Sequence, residues 1–494
     1  MKVRKAILLL LVFLFNIPVL AQVDTAWVRK YNNAELNIYS FRDLAVDKSG
    51  NVYVAGWASG IGNVFIRYLT IKYGPNGNIL WAEIFDESDG VAQALAVDDS
   101  GHAYVCGNTY EDNSIVDFLT IKYGSNGDTL WVRRYNGPAN LNDGGRDLML
   151  DAKGNLYVMG SSERSDHNED YVTIKYLPNG DTLWINRYDS GFRDLPNTLT
   201  VDDSGNVYAA GWSDAISSWL DYVTVKYGPD GDTSWVRRYD GTGNYYDEAF
   251  DLAVDHKGNS YVTGYSFGIG TFADITTIKY SPKGDTLWVA RFNGPKSGND
   301  WAVALVVDDS ENVYVAGAVD CDPDPEGVST CDYATIKYSS DGDILWFNRY
   351  NELGNDYAYD LSLDKYGNVY VTGNISTIKY SSNGIPLWLT IRSGINIQID
   401  DSGFVYVTDG YYVTKYIQFD CTAISGDVNS DNQILLSDIT SLINSLFKSQ
   451  PAPNPLCLGD VNVDGKILLS DIVYLINYLY KSGPEPVKNR ECCL

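Results

Sequence analysis

Histidine is scarce: the 494 residues contain three, His102, His167 and His256. There is no H-E-x-x-H pair and no G-x-x-x-x-G-K-[ST] loop, so a zincin-type centre and a phosphate-cradling loop are both excluded. His102 and His256 fall in tight turns where sibling segments carry Asn, Asp, Lys or Ala, which makes them turn residues. Positive charge is in deficit, with 37 Lys and Arg against 64 Asp and Glu and a net charge of −27. A partner that demands a basic face, whether nucleic acid or anionic membrane, is thereby disfavoured. Apolar runs are confined to the start, where Lys2, Arg4 and Lys5 precede a hydrophobic stretch ending in Val19-Leu20-Ala21. This is the pattern of a secretory signal over residues 1–21, whose removal takes the net charge to −30. No later stretch is apolar enough for a transmembrane segment, so the expected location is secreted, extracellular or cell-surface attached.

Cysteine is sparse but present, at seven residues. In an exported chain these are disulfide candidates. Cys321 and Cys331 bracket the short loop CDPDPEGVSTC and are the expected pair; closing such a loop contributes about 2–3 kcal/mol on the chain-entropy model. Cys106 lies within an apolar strand and reads as a buried free thiol. The pairing of Cys421, Cys457, Cys492 and Cys493 stays open.

What the chain does have is repetition. The phrase TIKYGSNGDTLW at 120–131 recurs, with whole copies starting at Thr70, Thr120, Thr173, Thr224, Thr277, Thr335 and Thr377. An eighth copy is split, with Thr414-Lys415-Tyr416 near the end of the array and Asp24-Thr25-Ala26-Trp27 at its start. The unit is about fifty residues long and holds four short extended segments, in the second unit 92–98, 102–107, 118–123 and 128–135. Turns such as D-x-x-G and S-N-G-D join them, so each unit is a four-stranded antiparallel meander. An Asp opens the first turn of every unit, from Asp47 to Asp400, and a Tyr follows in the second strand, from Tyr53 to Tyr406. Sheets this small bury both faces only by packing radially on one another. The predicted fold is therefore all-β, an eight-bladed β-propeller with seven blades as the alternative. The N-terminal strand completes the last blade, and the ring occupies 22–419.

These residues resemble the SBBP-type β-propeller repeat over about 23–419, and more loosely the NHL repeat with its VDxxGNVYV hairpin. The G-D-T-L-W hairpin also resembles the tryptophan-docking phrase of quinoprotein dehydrogenases, without a quinone ligand set. Propellers host enzymes, ligand sites and interaction surfaces alike, so the resemblance carries architecture rather than activity. Two sets of carboxylates stand out. Asp143, Asp194, Asp247, Asp300 and Asp356 precede the first strands, either clustering at one mouth of the channel or capping their own loops. Asp43, Asp147, Asp251 and Asp360 occur in the odd units, where Ala94, Thr198, Ala304 and Asn396 stand in the even ones.

After Cys421 the pattern turns helical, with two near-duplicates, 426–449 and 459–482, in a module spanning 420–494. Each opens D-x-N-x-D with an Asp at loop position twelve. Oxygen ligands at positions 1, 3, 5, 7 and 12 surround a Ca²⁺ ion as in an EF-hand loop, which predicts two Ca²⁺ ions. The ligand sets are Asp427, Asn429, Asp431, Gln433 and Asp438, then Asp460, Asn462, Asp464, Lys466 and Asp471, with Gln433 and Lys466 acting through their main chains. Each loop leads into one amphipathic helix. Two such loop-helix repeats resemble a type I dockerin domain. Membership implies a cohesin-domain partner on another extracellular protein, contacted through loop positions 10 and 11. These are Leu436, Ser437, Leu469 and Ser470, a Leu-Ser pair that departs from the Ser-Thr of familiar cellulosomal examples.

The resulting expectation is a secreted binding or scaffold protein. The ring recognises an extracellular glycan or protein, and the C-terminal module attaches it to a cohesin-bearing partner in a calcium-dependent way. The alternative is an extracellular polysaccharide-degrading enzyme, a glycoside hydrolase or lyase in a dockerin-cohesin assembly. No catalytic residue is assigned.

Overall fold

The computed structural model describes residues 22–33, 36–60, 65–110, 115–214, 219–323, 329–352 and 354–419. C-terminal to these it describes residues 426, 428, 434–448, 458–459, 461 and 466–481. The chain divides into two compact units, one over Val23–Ile385 and Leu389–Gln418 and the other chiefly Phe419–Leu494.

The first unit is a ring of eight four-stranded antiparallel sheets. The innermost strands of blades 1 to 8 are Leu36–Val46, Asp89–Val97, Asp143–Leu150, Asp194–Val201, Asp247–Val254, Asn299–Val307, Ala358–Leu363 and Asn396–Ile399. Each packs on the next, and the eighth packs back onto the first, which closes the ring. Blade 8 takes its outermost strand, Gln22–Lys30, from the N-terminus, and that strand pairs with Tyr412–Phe419. The split copy of the repeat is thus the clasp of the ring. Inner strands start earlier than the apolar pattern suggests: in blade 2 the strand begins at Asp89 rather than Ala92. A β-bulge between Ala92 and Ala94 absorbs one extra residue and lets pairing continue to Thr109 and Tyr110.

The repeat signature is an interblade staple. Trp81 Nε1 and Lys72 Nζ of blade 1 both donate to the carbonyl of Ser125 in blade 2, at 3.1 and 3.2 Å. Trp235 and Lys226 of blade 4 do the same to Pro282, each at 3.1 Å. Across the clasp, Trp27 from one end of the chain and Lys415 from the other meet on the carbonyl of Pro75, at 2.9 and 3.4 Å. Blade 8 offers no hairpin of this kind to blade 7, and there Lys379 donates to Gln418 Oε1 instead, at 2.7 Å. The ammonium also sits over the second-strand Tyr of its own blade, as Lys72 does 4.8 Å from the Tyr53 ring centroid. That Tyr in turn donates to the hairpin Asp, Tyr53 to Asp47 Oδ2 at 3.1 Å. The hydrophobic core is therefore a succession of clusters between neighbouring blades rather than one central mass.

The hairpin glycine that receives the preceding blade's Trp has two reasons to be glycine. Gly231 has φ +92°, and a Cβ there would lie 2.7 Å from Trp184 Cδ2. Gly231→Ala is expected to cost about 1–3 kcal/mol through backbone strain and the displaced ring. Thermal denaturation checks this, and a variant as stable as the parent would sink the staple account.

The second unit holds two helices, α1 (Leu436–Phe447) and α2 (Leu469–Lys481), packed on each other. Ile439, Leu442, Ile472 and Leu475, at the helical spacing, form its core together with Val461, which lies outside both helices. Among the described residues no helix is long and apolar enough to cross a membrane.

Candidate functional site

In the C-terminal unit the two loop-helix repeats adopt matching geometry at their helix starts. Asp438 and Asp471 are fully buried. Asp438 Oδ2 accepts the N–H of Leu435 at 2.8 Å, and Asp471 Oδ2 accepts that of Leu468 at 2.7 Å. Asp471 Oδ1 also accepts the N–H of Val461, 3.0 Å away, which ties the loop of the second repeat to its helix. Asp438 and Asp471 thus each present a carboxylate at the start of a helix. An all-oxygen donor set is the chemistry that calcium takes, and these two carboxylates fit it. The Lys466 side chain is exposed. Asp427, Asn429, Asp431, Gln433, Asp460, Asn462 and Asp464 lie outside the described residues. Leu436 and Leu469, 58% and 59% exposed, open the two helices beside exposed Ser437 and Ser470.

On the ring, the five Asp residues at or just before the starts of the innermost strands cap their own segments. Asp194 accepts the Ser190 N–H at 2.8 Å, and Asp143, Asp247, Asp300 and Asp356 accept those of Gly137, Gly241, Gly294 and Glu352. They are all buried. Two of the five each join two other close carboxylates, Asp194 with Asp170 and Asp189, and Asp247 with Asp221 and Asp240. Arginine supplies the cation in each: Arg187 is 2.9 Å from Asp170, and Arg238 is 3.0 Å from Asp221.

The alternating set behaves differently. Asp43 accepts the N–H of Leu44 through Oδ1 and that of Leu95, in the next blade, through Oδ2, both at 2.7 Å. Asp147 joins Leu148 to Leu199, Asp251 joins Leu252 to Leu305, and Asp360 joins Leu361 to Ile397 in the same way. Odd blades are thus tied to the even blades that follow them, on the strands that line the channel. Burial pushes these carboxyls up, Asp43 to about 7, Asp147 to about 6, Asp251 to about 7 and Asp360 to about 8. The bound N–H groups oppose the rise, and Asp43 and Asp251 add repulsion on Asp360.

The inner-strand bulge recurs between Gly145 and Asp147, Pro196 and Thr198, and Ala249 and Asp251. The extra residue at each bulge is Gln93, Arg146, Asn197 or Phe250 in blades 2 to 5. Gln93, Arg146 and Asn197 line a cavity of about 510 Å³, and Phe250 lines another of about 550 Å³ with Tyr265, Phe267 and Trp301. A hydrogen-bonded chain joins the two. Arg146 Nη1 donates to Asn197 Oδ1, Asn197 Nδ2 to Glu248 Oε1, and Tyr265 Oη to Glu248 Oε2, each at 3.3 Å. Burial raises the Glu248 carboxyl. Residue patterning alone does not reveal this site, because the bulge that re-aims these side chains leaves no mark in hydrophobic periodicity.

Cys321 and Cys331 are disulfide-bonded, and Cys106 is a buried free thiol whose pKa burial raises well above the usual range. The other four cysteines lie outside the described residues. His102 Nδ1 stands 2.8 Å from Asp98 Oδ2, in the place where Asn51 Nδ2 donates to Asp47 Oδ2 one blade earlier. Gly264-Tyr265-Ser266-Phe267-Gly268 has the G-x-S-x-G spacing of a nucleophile elbow. It runs along the strand Ser260–Phe267 instead of turning into a helix, and Ser266 is fully buried, its Oγ accepting from Arg291 Nη1 at 2.7 Å.

Residues 425–480 match the family model of the dockerin type I domain, and residues 27–63 match that of the beta-propeller repeat. Type I dockerin domains bind calcium and are typically found on extracellular proteins. No curated protein matches the chain. Among solved structures it is similar to the WD40 beta propeller domain of Doa1, at 11% identity and TM-score 0.42, covering 81% of this chain and 98% of that one. The WD40 domain of Neurospora crassa Pan2 is similar at 9% identity and TM-score 0.43, with 66% of this chain and 90% of that one covered. Streptogramin B lyase is similar at 12% identity and TM-score 0.38, with 66% and 95% covered.

Proposed function

We propose that this chain, a propeller of beta-propeller repeats with a C-terminal type I dockerin domain, is an exported binding protein. Residues 22–419 form the recognition module, and residues 420–494 attach it to a cohesin-bearing protein outside the cell. The observation that carries this is the pair of exposed helix starts, Leu436-Ser437 and Leu469-Ser470, each next to a buried carboxylate, Asp438 or Asp471. Two Ca²⁺ ions, one per repeat, would be held by Asp427, Asn429, Asp431, the Gln433 carbonyl and Asp438, and by Asp460, Asn462, Asp464, the Lys466 carbonyl and Asp471. When bound, each supplies positive charge beside the buried carboxylate. The protein then contributes a rigid presentation of the two Leu-Ser pairs, whose likeness lets either repeat face the partner.

The test is a pull-down of the native secreted and surface fraction on the immobilised full chain, with calcium and with chelator. The expected result is calcium-dependent capture of a cohesin-domain protein, lost in Asp427→Ala/Asp460→Ala with the ring's melting transition unchanged. Capture that ignores both calcium and the double substitution would overturn the docking reading.

A further inference from the structure

We infer that the two linked cavities at the bulged inner strands of blades 2 to 6 form one bipartite site for a neutral oligosaccharide. The inference rests on the reading of the ring as a binding module and names its ligand class and its site. β-Bulges re-aim side chains at functional places, and here the bulge carries a different residue in each of blades 2 to 5, Gln93, Arg146, Asn197 and Phe250. One half of the cleft is aromatic, walled by Phe250, Tyr265 and Trp301, and its rim continues in Trp219 and Tyr245, 59% and 43% exposed with ring centroids 5.8 Å apart. The other half is polar, with Gln93, Arg146 and Asn197. The chain of hydrogen bonds through Asn197 and Glu248 makes the two halves continuous.

Each class of ligand can be weighed against that surface. A polyanion is repelled by a chain of net charge −27, and the second arginine of the polar half, Arg193, is already neutralised by Glu169 at 2.8 Å. A purely apolar ligand would cover Gln93, Arg146 and Asn197 without replacing their water, at a cost in unpaired polar groups. A neutral pyranose chain meets both demands. Its C–H faces rest on the electron-rich ring faces, and its hydroxyls, each both donor and acceptor, match amides, a guanidinium and a carboxylate. Arg146 makes no ion pair among the described residues, so the donors it does not give to Asn197 face such hydroxyls.

The test is isothermal titration of the full chain with cellohexaose, xylohexaose, mannohexaose and laminarihexaose, beside Phe250→Ala, Arg146→Ala and Trp301→Ala. Arg146 is exposed and Phe250 half-buried, so their truncation is expected to leave the melting temperature in place, and a thermal scan of each variant verifies it. The expected result is binding of at least one hexaose, weakened at least about tenfold by both Phe250→Ala and Arg146→Ala. Binding that is unchanged in both variants would place the glycan elsewhere on the ring and overturn the cleft, while the binding-module reading survives. Failure of all four hexaoses to bind would overturn the ligand class, and calcium-dependent cohesin capture by the same sample would show the docking reading intact.

Discussion

Deleting residues 22–31 is expected to destabilise the ring more than any single substitution and to make the protein associate through a newly bare sheet edge. The strand Gln22–Lys30 covers Tyr412–Phe419, and its loss leaves a row of unpaired backbone groups. It also removes Trp27, which is 7% exposed, packs 6.3 Å from Tyr73 and 6.4 Å from Tyr406 between ring centroids, and donates to the Pro75 carbonyl. Trp27→Ala alone should cost about 3–5 kcal/mol, the range for truncating a buried aromatic. Differential scanning calorimetry and size-exclusion chromatography provide the readouts. A synthetic peptide of residues 22–33 added in trans should restore part of the lost melting temperature by strand complementation. A deleted chain that melts where the parent does would show that the clasp contributes nothing and that closure rests on the innermost strands alone.

The ring should also be more stable at mildly acidic than at alkaline pH, against the habit of acid-rich proteins. Asp43, Asp147, Asp251 and Asp360 start from an ordinary value of 3.8 in the unfolded chain and are raised to between about 6 and about 8 when folded. A raised folded pKa means that the native state holds its protons more tightly than the unfolded state. Its contribution is therefore fully present below 3.8 and is lost as pH climbs through 6 to 8. Hairpin carboxylates act in the opposite sense lower down. Burial opposes the charge of Asp151 and Asp255, yet hydrogen bonds from Asn155 and Asn259 hold them below the usual range, so their contribution fades only in stronger acid. Between pH 5.5 and 8.5 the channel set dominates, and the expected loss with rising pH is on the order of a few kcal/mol, read as a melting temperature several degrees lower at pH 8.5. The quadruple variant D43N/D147N/D251N/D360N keeps one acceptor oxygen per site and loses the charge. It should be less stable at pH 5.5 and lose clearly less melting temperature than the parent across the window, the remaining slope coming from groups such as Asp170, Asp247 and Asp300, also raised to about 6. A parent chain that melts higher at pH 8.5 than at 5.5 would refute this account.

Much of the architecture was legible in the residues because repeats constrain one another. A Trp, a Lys, a Tyr and an Asp recurring at one spacing imply one local environment occurring eight times, and a phrase divided between the two ends implies a clasp. The dockerin module was legible for a similar reason, since the same acidic phrase followed twice by a helical stripe leaves few other uses for that pattern. Helix faces are local properties, which sequence spacing encodes directly. Interblade relations are not local. That Trp235 and Lys226 converge on one carbonyl, that five Asp residues cap their own loops while four others tie odd blades to even ones, and that a bulge turns Arg146, Asn197 and Phe250 toward shared cavities all depend on where the neighbouring sheet lies. By itself the sequence determined the repeat, the strand count and the two loop-helix modules. The tertiary structure alone decided which carboxylates lose their water and which side chains meet, because burial and contact are set by the packing of separate blades.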